Sequence, residues 1–140
     1  MAPALPIRPC HSTEATAVLE LWRRAAARLS PTDDLEGLAR LLAHPSAVLL
    51  VAVDGESFVG SVIGGWDGWR GNIYRLVVSP EYRRRGLATA LVREVERWLQ
   101  QRGARRISAL VEGKHPWAVG FWNSIYEQET GTLRYVKNVD

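Results

Sequence analysis

The segment from Leu76 to Leu91 reads L-V-V-S-P-E-Y-R-R-R-G-L-A-T-A-L and constrains the fold more than any other part of the sequence. It opens as an apolar, β-branched run, which is typical of a buried strand. Pro80 ends that strand because proline has no backbone N–H to donate to a sheet. Three arginines and Gly86 follow, and then apolar residues recur at helical spacing, namely Leu87, Leu91, Val92, Val95, Trp98 and Leu99. The segment therefore predicts a strand, a short basic turn and a helix in direct succession.

This strand-turn-helix unit predicts an anion-binding site. The first N–H groups of an α-helix have no partner within the helix, and the helix dipole adds partial positive charge there. Gly86 lets a ligand approach the backbone closely, and Ala88 keeps the first helical turn small. A diphosphate suits such a site. The alternative is a solvated basic turn on an ordinary α/β domain.

Arg83, Gly86 and Ala88 have the spacing of the pattern Q/R-x-x-G-x-G/A. In this the segment resembles the signature of the GNAT superfamily of N-acetyltransferases, and the approach through Leu76-x-Val78-x-Pro80 is similar as well. The resemblance implies that the loop holds the pyrophosphate of acetyl-CoA through Arg83, Arg84, Arg85, Gly86, Leu87, Ala88 and Thr89. It also implies that the backbone of Leu76, Val77 and Val78 pairs with the pantetheine arm, and that a β-bulge there often frees an amide for the thioester carbonyl.

Length and composition limit the remaining possibilities. The 140 residues predict one domain, 1–140, and the hydrophobic and charged fractions of 46% and 24% are ordinary for a soluble protein. The net charge is only +3, but arginines crowd the segment from Arg75 to Arg106, which suits an anionic ligand and could also suit nucleic acid. Cys10 is alone, so no intrachain disulfide or cysteine metal cluster is expected. Without a leader-like run in Met1–Pro9 or a stretch long enough to span a membrane, we expect a cytoplasmic protein.

The hydrophobic pattern predicts alternating strands and helices along the chain. The predicted strands are Leu5–Cys10, Ala47–Val53, Ser57–Trp66, Asn72–Ser79 and Arg105–Val111, with a closing hairpin of Tyr126–Glu129 and Thr132–Val139 around Gly131. The first helix is expected to be capped by Ser12 or Thr13 and to run to about residue 29. Asp33 and Glu36 have the spacing of a capping box for a second helix, which Pro45 ends. Gly103 suits the end of the third helix, and His115-Pro116 the start of the fourth.

Two short signals refine this pattern. Asp54-Gly55 predicts a tight hairpin, so the strands on either side of it should be antiparallel. Gly60, Gly64 and Gly65 predict that another group approaches the backbone of the following strand. The strands on either side of the third helix should be parallel, because a helix crosses between them.

The element order is therefore β-α-α-β-β-β-α-β-α-β-β. It predicts a three-layer α/β (α+β) domain with a single mixed, mostly antiparallel sheet and helices on both faces. This order is that of the acyl-CoA N-acyltransferase (GNAT) fold, and the resemblance covers essentially the whole chain. The turn Gly65–Gly71, which reads G-W-D-G-W-R-G, resembles the G-Y-D-G-x-R-G turn of a small bacterial branch of the superfamily. The acceptor of that branch is undefined.

The resemblance implies direct acetyl transfer, in which a neutral amine attacks the thioester without a covalent enzyme intermediate. Many relatives use a tyrosine as general acid where this chain has Trp122, so Tyr126 becomes the candidate phenol; the alternative is that Tyr126 is a core aromatic residue. Many relatives have a glutamate where this chain has Leu110. Glu112 is the nearest carboxylate on the same strand face and the candidate general base, the alternative being a solvated glutamate. Many relatives also have an asparagine that binds pantetheine where this chain has His115, which is either a catalytic or CoA contact or only a helix cap.

The acceptor is expected at the glycine-rich turn. Its bulky or charged residues are Trp66, Asp67, Trp69 and Arg70, and Asp67 would favour a cationic amine. Alternatively, Asp67 and Arg70 pair with each other or shape the turn.

The leading hypothesis is an acetyl-CoA-dependent N-acetyltransferase that acts on a primary amine of a small molecule, peptide or protein. An acyl-CoA-binding protein with weak or no catalysis is the alternative. A nucleic-acid-binding domain is a third possibility, but the chain lacks an RNP motif and a helix-turn-helix pattern. We expect no metal, nucleic-acid or membrane partner, and either a monomer or a homodimer.

Overall fold

The computed structural model describes residues 4–139, so Asp140 and the first three residues of the chain lie outside the description. The chain divides into two compact units, Met1–Leu110 and Val111–Asp140. Each is described by itself, and the single domain 1–140 stays a prediction. No helix among the described residues is long and apolar enough to cross a membrane.

The first unit contains a mixed sheet. Within residues 4–139 it has five strands, β1 (Ile7–Pro9), β2 (Ala47–Asp54), β3 (Ser57–Trp66), β4 (Gly71–Val78) and β5 (Ile107–Ala109), which lie in that order. The pairs β1–β2, β2–β3 and β3–β4 are antiparallel, whereas β4 and β5 are parallel. The predicted mixed, mostly antiparallel sheet is therefore confirmed, including the hairpin at Asp54-Gly55.

The helices of the described chain are α1 (Ala15–Arg24), α2 (Leu35–Ala43), α3 (Leu87–Gln101) and α4 (Pro116–Ile125). The predicted end of the first helix at residue 29 is wrong: Ala26 adopts a left-handed conformation (φ 59°), which stops α1 at Arg24. The predicted cap of that helix is also wrong, because Ser12 and Thr13 belong to a short 3₁₀ turn that precedes α1. Glu14 shapes this turn by accepting the His11 N–H at 2.8 Å.

The start of α2 differs from the prediction by one residue. Asp34, not Asp33, is the N-cap, and its carboxylate accepts the Gly37 N–H at 2.7 Å. Asp33 is consequently available for a different contact, which is described with the site below.

The sheet is covered on both faces. α1 and α2 pack on one face, where Trp22 and Leu38 join a buried cluster with Val51, Ile63 and Val77. On the other face α3 lies directly over glycines: a Cβ at Gly60 would lie 2.9 Å from Leu91 Cδ1. The three-layer arrangement is confirmed.

The lone cysteine belongs to the buried cluster of the first face. The Sγ atom of Cys10 donates to the His11 carbonyl at 3.4 Å, and burial raises the pKa of the thiol to about 11. At neutral pH this thiol is therefore protonated and shielded.

The second unit contains α4 and the chain that follows it. The predicted closing hairpin, Tyr126–Glu129 with Thr132–Val139, is wrong, because residues 126–139 contain no strand. Alternation of apolar and polar residues favours a strand only where one face can be buried and a neighbouring strand satisfies the backbone. Here Leu133, Tyr135 and Val139 are all more than 70% exposed. The last two strands of the predicted order are therefore absent from the described residues.

The contact between α3 and β3 leads to a prediction about stability. A Cβ at Gly64 would lie only 2.5 Å from Val95 Cγ2, whereas a Cβ at Gly65 would meet Tyr74 at an ordinary 3.5 Å. We expect Gly64→Ala to destabilise the protein by about 1–3 kcal/mol through overpacking, with the Gly65→Ala control near neutral. Urea denaturation of both variants measures the difference. Equal effects would show that α3 moves away from the sheet at no cost.

Candidate active site

The loop between β4 and α3 has left-handed backbone at two positions just before the helix begins. A short 3₁₀ turn, Pro80–Tyr82, is followed by two residues in the left-handed region, Arg84 (φ 63°) and Gly86 (φ 80°). Gly86 is the N-cap of α3, and it has open space where a Cβ would lie. Left-handed residues between ordinary ones point successive N–H groups to one side, and the helix start adds its free amides. The arrangement fits a diphosphate.

The three arginines of the loop differ in their surroundings. Arg83 Nε donates to the Val78 carbonyl at 3.1 Å, and burial lowers the pKa of this guanidinium from its usual value. Arg85 lies over the ring of Tyr82 at 5.0 Å, and the Tyr82 hydroxyl donates to Asp54 in the β2–β3 turn. Arg84 and Arg85 are exposed. Arg83 is therefore part of the framework, while Arg84 and Arg85 face solvent and can reach an anion.

β4 and β5 separate along their length and leave one edge of β4 open. Their parallel pairing covers Gly71–Ile73, and the last backbone bond runs from the Leu110 N–H to the Ile73 carbonyl at 3.0 Å. Within the described residues this pairing ends there, whereas β4 continues to Val78. The open edge leads directly toward residues 79–86, the candidate diphosphate loop, so an extended ligand arm could pair with this edge like an added strand.

A β-bulge lies on this open part of β4. Ser61 pairs with Val77 and Ile63 pairs with Tyr74, so Arg75 and Leu76 together oppose Val62. Arg75 is the left-handed residue of the bulge (φ 52°), a conformation that costs a non-glycine residue about 1–2 kcal/mol.

The bulge changes the direction of the backbone groups that follow it. The Ser79 N–H bonds to the Val59 carbonyl, so Ser79 and Val77 face β3. Backbone groups alternate along a strand, and Leu76 and Val78 therefore face the open edge. The resemblance to acetyltransferases implied such a bulge only in general terms. Nothing in the side chain of Arg75 predicts a left-handed residue, because arginine has no preference for that region.

The buried surroundings of the bulge were not predicted from the sequence. Ser61 is fully buried and donates to the Arg75 carbonyl at 3.1 Å, while Trp22 Nε1 donates to Ser61 Oγ at 2.9 Å. The Arg75 guanidinium forms an ion pair with Asp33, the residue that sequence patterning assigned to a helix cap. The bulge is therefore fixed from α1, from β3 and from the loop between α1 and α2.

The glycine-rich turn lies at the other end of β4 from the diphosphate loop. Asp67 Oδ1 accepts the N–H groups of Trp69 and Arg70 at 2.8 and 2.7 Å, so this carboxylate shapes the turn. These backbone hydrogen bonds, that from Arg70 foremost, lower the pKa of Asp67. The Arg70 guanidinium stacks on Trp69, 3.9 Å from the ring centre, and Trp69 is 70% exposed. Trp66 ends β3.

The first unit thus brings the cofactor-binding candidates together and separates the acceptor candidates from them. Leu76, Val77 and Val78 lead into the loop residues, as expected for one continuous binding track. From Gly71 at the glycine-rich turn to Leu76 at the bulge the strand advances by about 16 Å. A contact between Asp67 and an acceptor at the bulge therefore requires a long acceptor.

The remaining candidates belong to the second unit. His115 is the N-cap of α4, with Nδ1 accepting the Ala118 N–H at 3.4 Å, so the helix-cap alternative has a structural basis. Tyr126 ends α4 with its ring 4.9 Å from that of Trp122, which is buried. Glu112 is half-buried, and its carbonyl accepts the His115 N–H in the turn before α4. The catalytic roles of Glu112 and Tyr126, and a CoA contact by His115, stay predictions.

Comparison with known proteins identifies the class of protein that this fold and loop define. The family model described as "Acetyltransferase (GNAT) family" matches residues 15–125. An acetyltransferase of Sodalis glossinidius is 35% identical over 131 residues, which cover 92% of each chain. The chain belongs to the GNAT acetyltransferase family, and it is an acyltransferase.

Solved structures agree on the fold. The chain is similar to an aminoglycoside 6'-N-acetyltransferase from Acinetobacter haemolyticus, with a TM-score of 0.78, 23% identity and coverage of 97% of this chain and 100% of that one. It is also similar to a PaiA N-acetyltransferase from Thermoplasma acidophilum in complex with coenzyme A, with a TM-score of 0.76, 16% identity and coverage of 87% and 88%. At these identities the likeness supports the fold alone, which is the predicted acyl-CoA N-acyltransferase fold.

The geometry of the loop leads to a prediction about ligand binding. Gly86→Asp places a negative charge and a side chain in the open space at the start of α3. We expect the affinity for acetyl-CoA to fall by about tenfold or more, because the charge repels the diphosphate and offsets the helix dipole. Calorimetric titration measures the affinity, and circular dichroism checks the fold.

Two further variants separate charge from strain. Gly86→Ala imposes the backbone strain without the charge and should lose less affinity than Gly86→Asp. Gly68→Asp introduces the same residue at φ 91° beyond the other end of β4, and we expect acetyl-CoA to bind it normally. Full affinity in Gly86→Asp would contradict a diphosphate site at this loop.

The two roles of Asp67 can be separated by substitution. Asparagine retains an oxygen for the amides of Trp69 and Arg70 but removes the charge, whereas alanine removes both. If Asp67 attracts a cationic acceptor, Asp67→Asn should raise the acceptor KM several-fold and leave acetyl-CoA affinity unchanged. Steady-state kinetics with both substrates measures this. An effect of Asp67→Ala alone would identify a purely structural carboxylate.

Proposed function

We propose that this protein transfers the acetyl group of acetyl-CoA directly to a primary amine. The observation that carries the proposal is the continuous track along β4: a bulge at Arg75–Leu76, an open strand edge to Val78, and a concave loop of amides at the start of α3. A thioester carbonyl, an extended amide-containing arm and a diphosphate follow one another in acetyl-CoA in the same order. The family membership supports the same donor.

The track along β4 can contribute to catalysis in two ways, by positioning the thioester and by polarising its carbonyl group. The Leu76 N–H, which faces the open edge by strand alternation, can donate to the thioester carbonyl as negative charge develops on it. Pairing of the arm along the strand fixes the reacting carbon and reduces the entropy lost on the way to the transition state. The amine nitrogen forms the new amide bond, the thiolate leaves, and the proton lost by the amine compensates the charge on the sulfur.

The acceptor is proposed only as a class. A primary amine agrees with the names of similar solved structures, which include an aminoglycoside acetyltransferase and a ribosomal-protein-alanine acetyltransferase. An amine at the bulge reaches the glycine-rich turn only if the acceptor extends about 16 Å along β4. A role for Asp67 in acceptor binding therefore favours an elongated acceptor, such as a polyamine or a peptide, over a small one.

An acyl-CoA-binding protein with weak catalysis is the second candidate. The observation that favours it is the buried Trp122: the resemblance to the family implies a tyrosine general acid at this position, and an indole has no useful acidity. Both candidates require the same diphosphate loop, so cofactor binding alone does not distinguish them.

Thiol release across an amine panel distinguishes the two candidates. The panel contains spermidine, an N-terminal ribosomal peptide, an aminoglycoside and free amino acids, and calorimetry with acetyl-CoA accompanies it. Binding together with amine-dependent thiol release supports the transferase. Binding without release from any amine supports the second candidate, and the absence of binding contradicts both.

Glu112 is proposed as the general base for the transferase. An ammonium group with a pKa of about 10 must lose a proton before it can attack, and a positioned base contributes about 10²–10⁴-fold to such a step. We expect Glu112→Gln to lower kcat/KM by that order at neutral pH and to weaken its pH dependence, with acetyl-CoA affinity retained. Glu127→Gln, an exposed glutamate of the same unit, is the matched control. A loss below about threefold would show that bulk water takes the proton and that positioning dominates.

A further inference from the structure

Arg75 holds a backbone conformation that its own side chain does not favour. It is one of three non-glycine residues with positive φ in residues 4–139, and it lies within a strand at the bulge that faces the open edge of β4. A non-glycine residue persists in this region only where its surroundings impose it. The contacts of Arg75 therefore decide where the next amide, that of Leu76, is directed.

Asp33 forms an ion pair with the side chain of Arg75. The carboxylate of Asp33 accepts from both Nε, at 3.3 Å, and Nη2 of the guanidinium, a two-point contact that fixes orientation as well as distance. Asp33 is itself fixed, because its Oδ2 accepts the N–H and the hydroxyl of Ser30 at 2.6 and 2.9 Å. Its side chain is only 8% exposed. With these four donors around it, Asp33 is suited to hold Arg75 rather than to exchange protons with a substrate.

The main chain of Arg75 is held separately. Ser61 Oγ donates to the Arg75 carbonyl, and Trp22 Nε1 in turn donates to Ser61 Oγ. The face of the Trp22 ring lies 5.3 Å from Arg75 Cζ, so the same tryptophan contacts the guanidinium. Side chain and carbonyl are thus both fixed, and little rotation remains for the peptide that links Arg75 to Leu76.

We propose that Asp33 and Arg75 are positioning residues for acetyl transfer: their ion pair keeps the β4 bulge in the conformation that directs the Leu76 N–H to the open edge. The proposal rests on the proposed function, since that edge is where the thioester carbonyl is to lie. It also gives the loop between α1 and α2 a role in the geometry of the bulge, because Asp33 attaches this loop to Arg75.

Substitutions at Arg75 separate the backbone from the guanidinium. Arg75→Gly removes the ion pair but adopts φ 52° without strain, whereas Arg75→Met removes the ion pair and disfavours that conformation. We expect Arg75→Met and Asp33→Ala to lower kcat by about tenfold or more. This is less than the loss typical of removing an oxyanion donor, because the Leu76 N–H is still present in both variants. KM for acetyl-CoA should change less than about threefold, because the diphosphate loop is intact.

The glycine variant is the decisive one. Arg75→Gly should lower kcat less than Arg75→Met does, and adding Asp33→Ala to it should cause no further loss, because two residues that act through one interaction are not additive. Asp33→Asn serves as a milder variant if Asp33→Ala does not fold. Glu36→Gln is the matched control, since it disrupts an exposed ion pair with Arg40 in the adjacent helix.

A spectroscopic measurement tests the proposal without turnover. The amide signal of Leu76 is compared between protein saturated with CoA and protein saturated with acetyl-CoA, which differ only at the acetyl group. We expect a shift difference in wild type and Arg75→Gly that is lost in Asp33→Ala and Arg75→Met.

The possible failures have different signatures. If wild type binds no acetyl-CoA, the proposed function fails. If wild type shows the Leu76 shift and Asp33→Ala retains both the shift and kcat while only its Tm falls, the pair is merely structural and the positioning proposal is overturned. It is also overturned if Arg75→Gly is as impaired as Arg75→Met, because the guanidinium then acts directly.

Discussion

The close approach of α3 to the sheet is the contact on which the rest of the site depends. A Cβ at Gly60, Gly64 or Gly71 would lie less than 3.0 Å from a side chain of α3, so glycine at these positions sets the helix close to β3 and β4. With the helix seated there, its first turn lies directly beyond the end of β4, and a short loop suffices to connect them. The position of the helix start, where the diphosphate is proposed to bind, therefore depends on the packing of α3 against the sheet.

The packing of α3 fixes the position of the helix start, whereas the β4 bulge is fixed by a different part of the chain. α3 determines where the diphosphate loop lies, whereas α1, β3 and the loop after α1 hold Arg75. A donor molecule laid along β4 would thus be fixed at one end by the second half of the unit and at its reactive end by the first half.

The parts of the fold that local chemistry determines could be predicted. The hairpin at Asp54-Gly55, the parallel crossover and the start of α3 at Gly86 follow from turn residues, element order and helical spacing. The predictions that were wrong concern features that depend on tertiary context. α1 ends early because Ala26 adopts a left-handed conformation, and Thr132–Val139 has the alternation of a strand but no partner strand among the described residues. The bulge and the Asp33–Arg75 pair were missed for a similar reason. The two residues are far apart in the sequence, and Asp33 fits a helix cap equally well.

The hydrogen bond from Arg83 to the Val78 carbonyl has a thermodynamic consequence. That carbonyl faces the open edge of β4, where an incoming ligand amide would seek an acceptor, yet a charged donor already occupies it. Because a carbonyl oxygen has two lone pairs, a ligand amide would bind Val78 beside the Arg83 guanidinium, and only the additional hydrogen bond would contribute to the binding enthalpy.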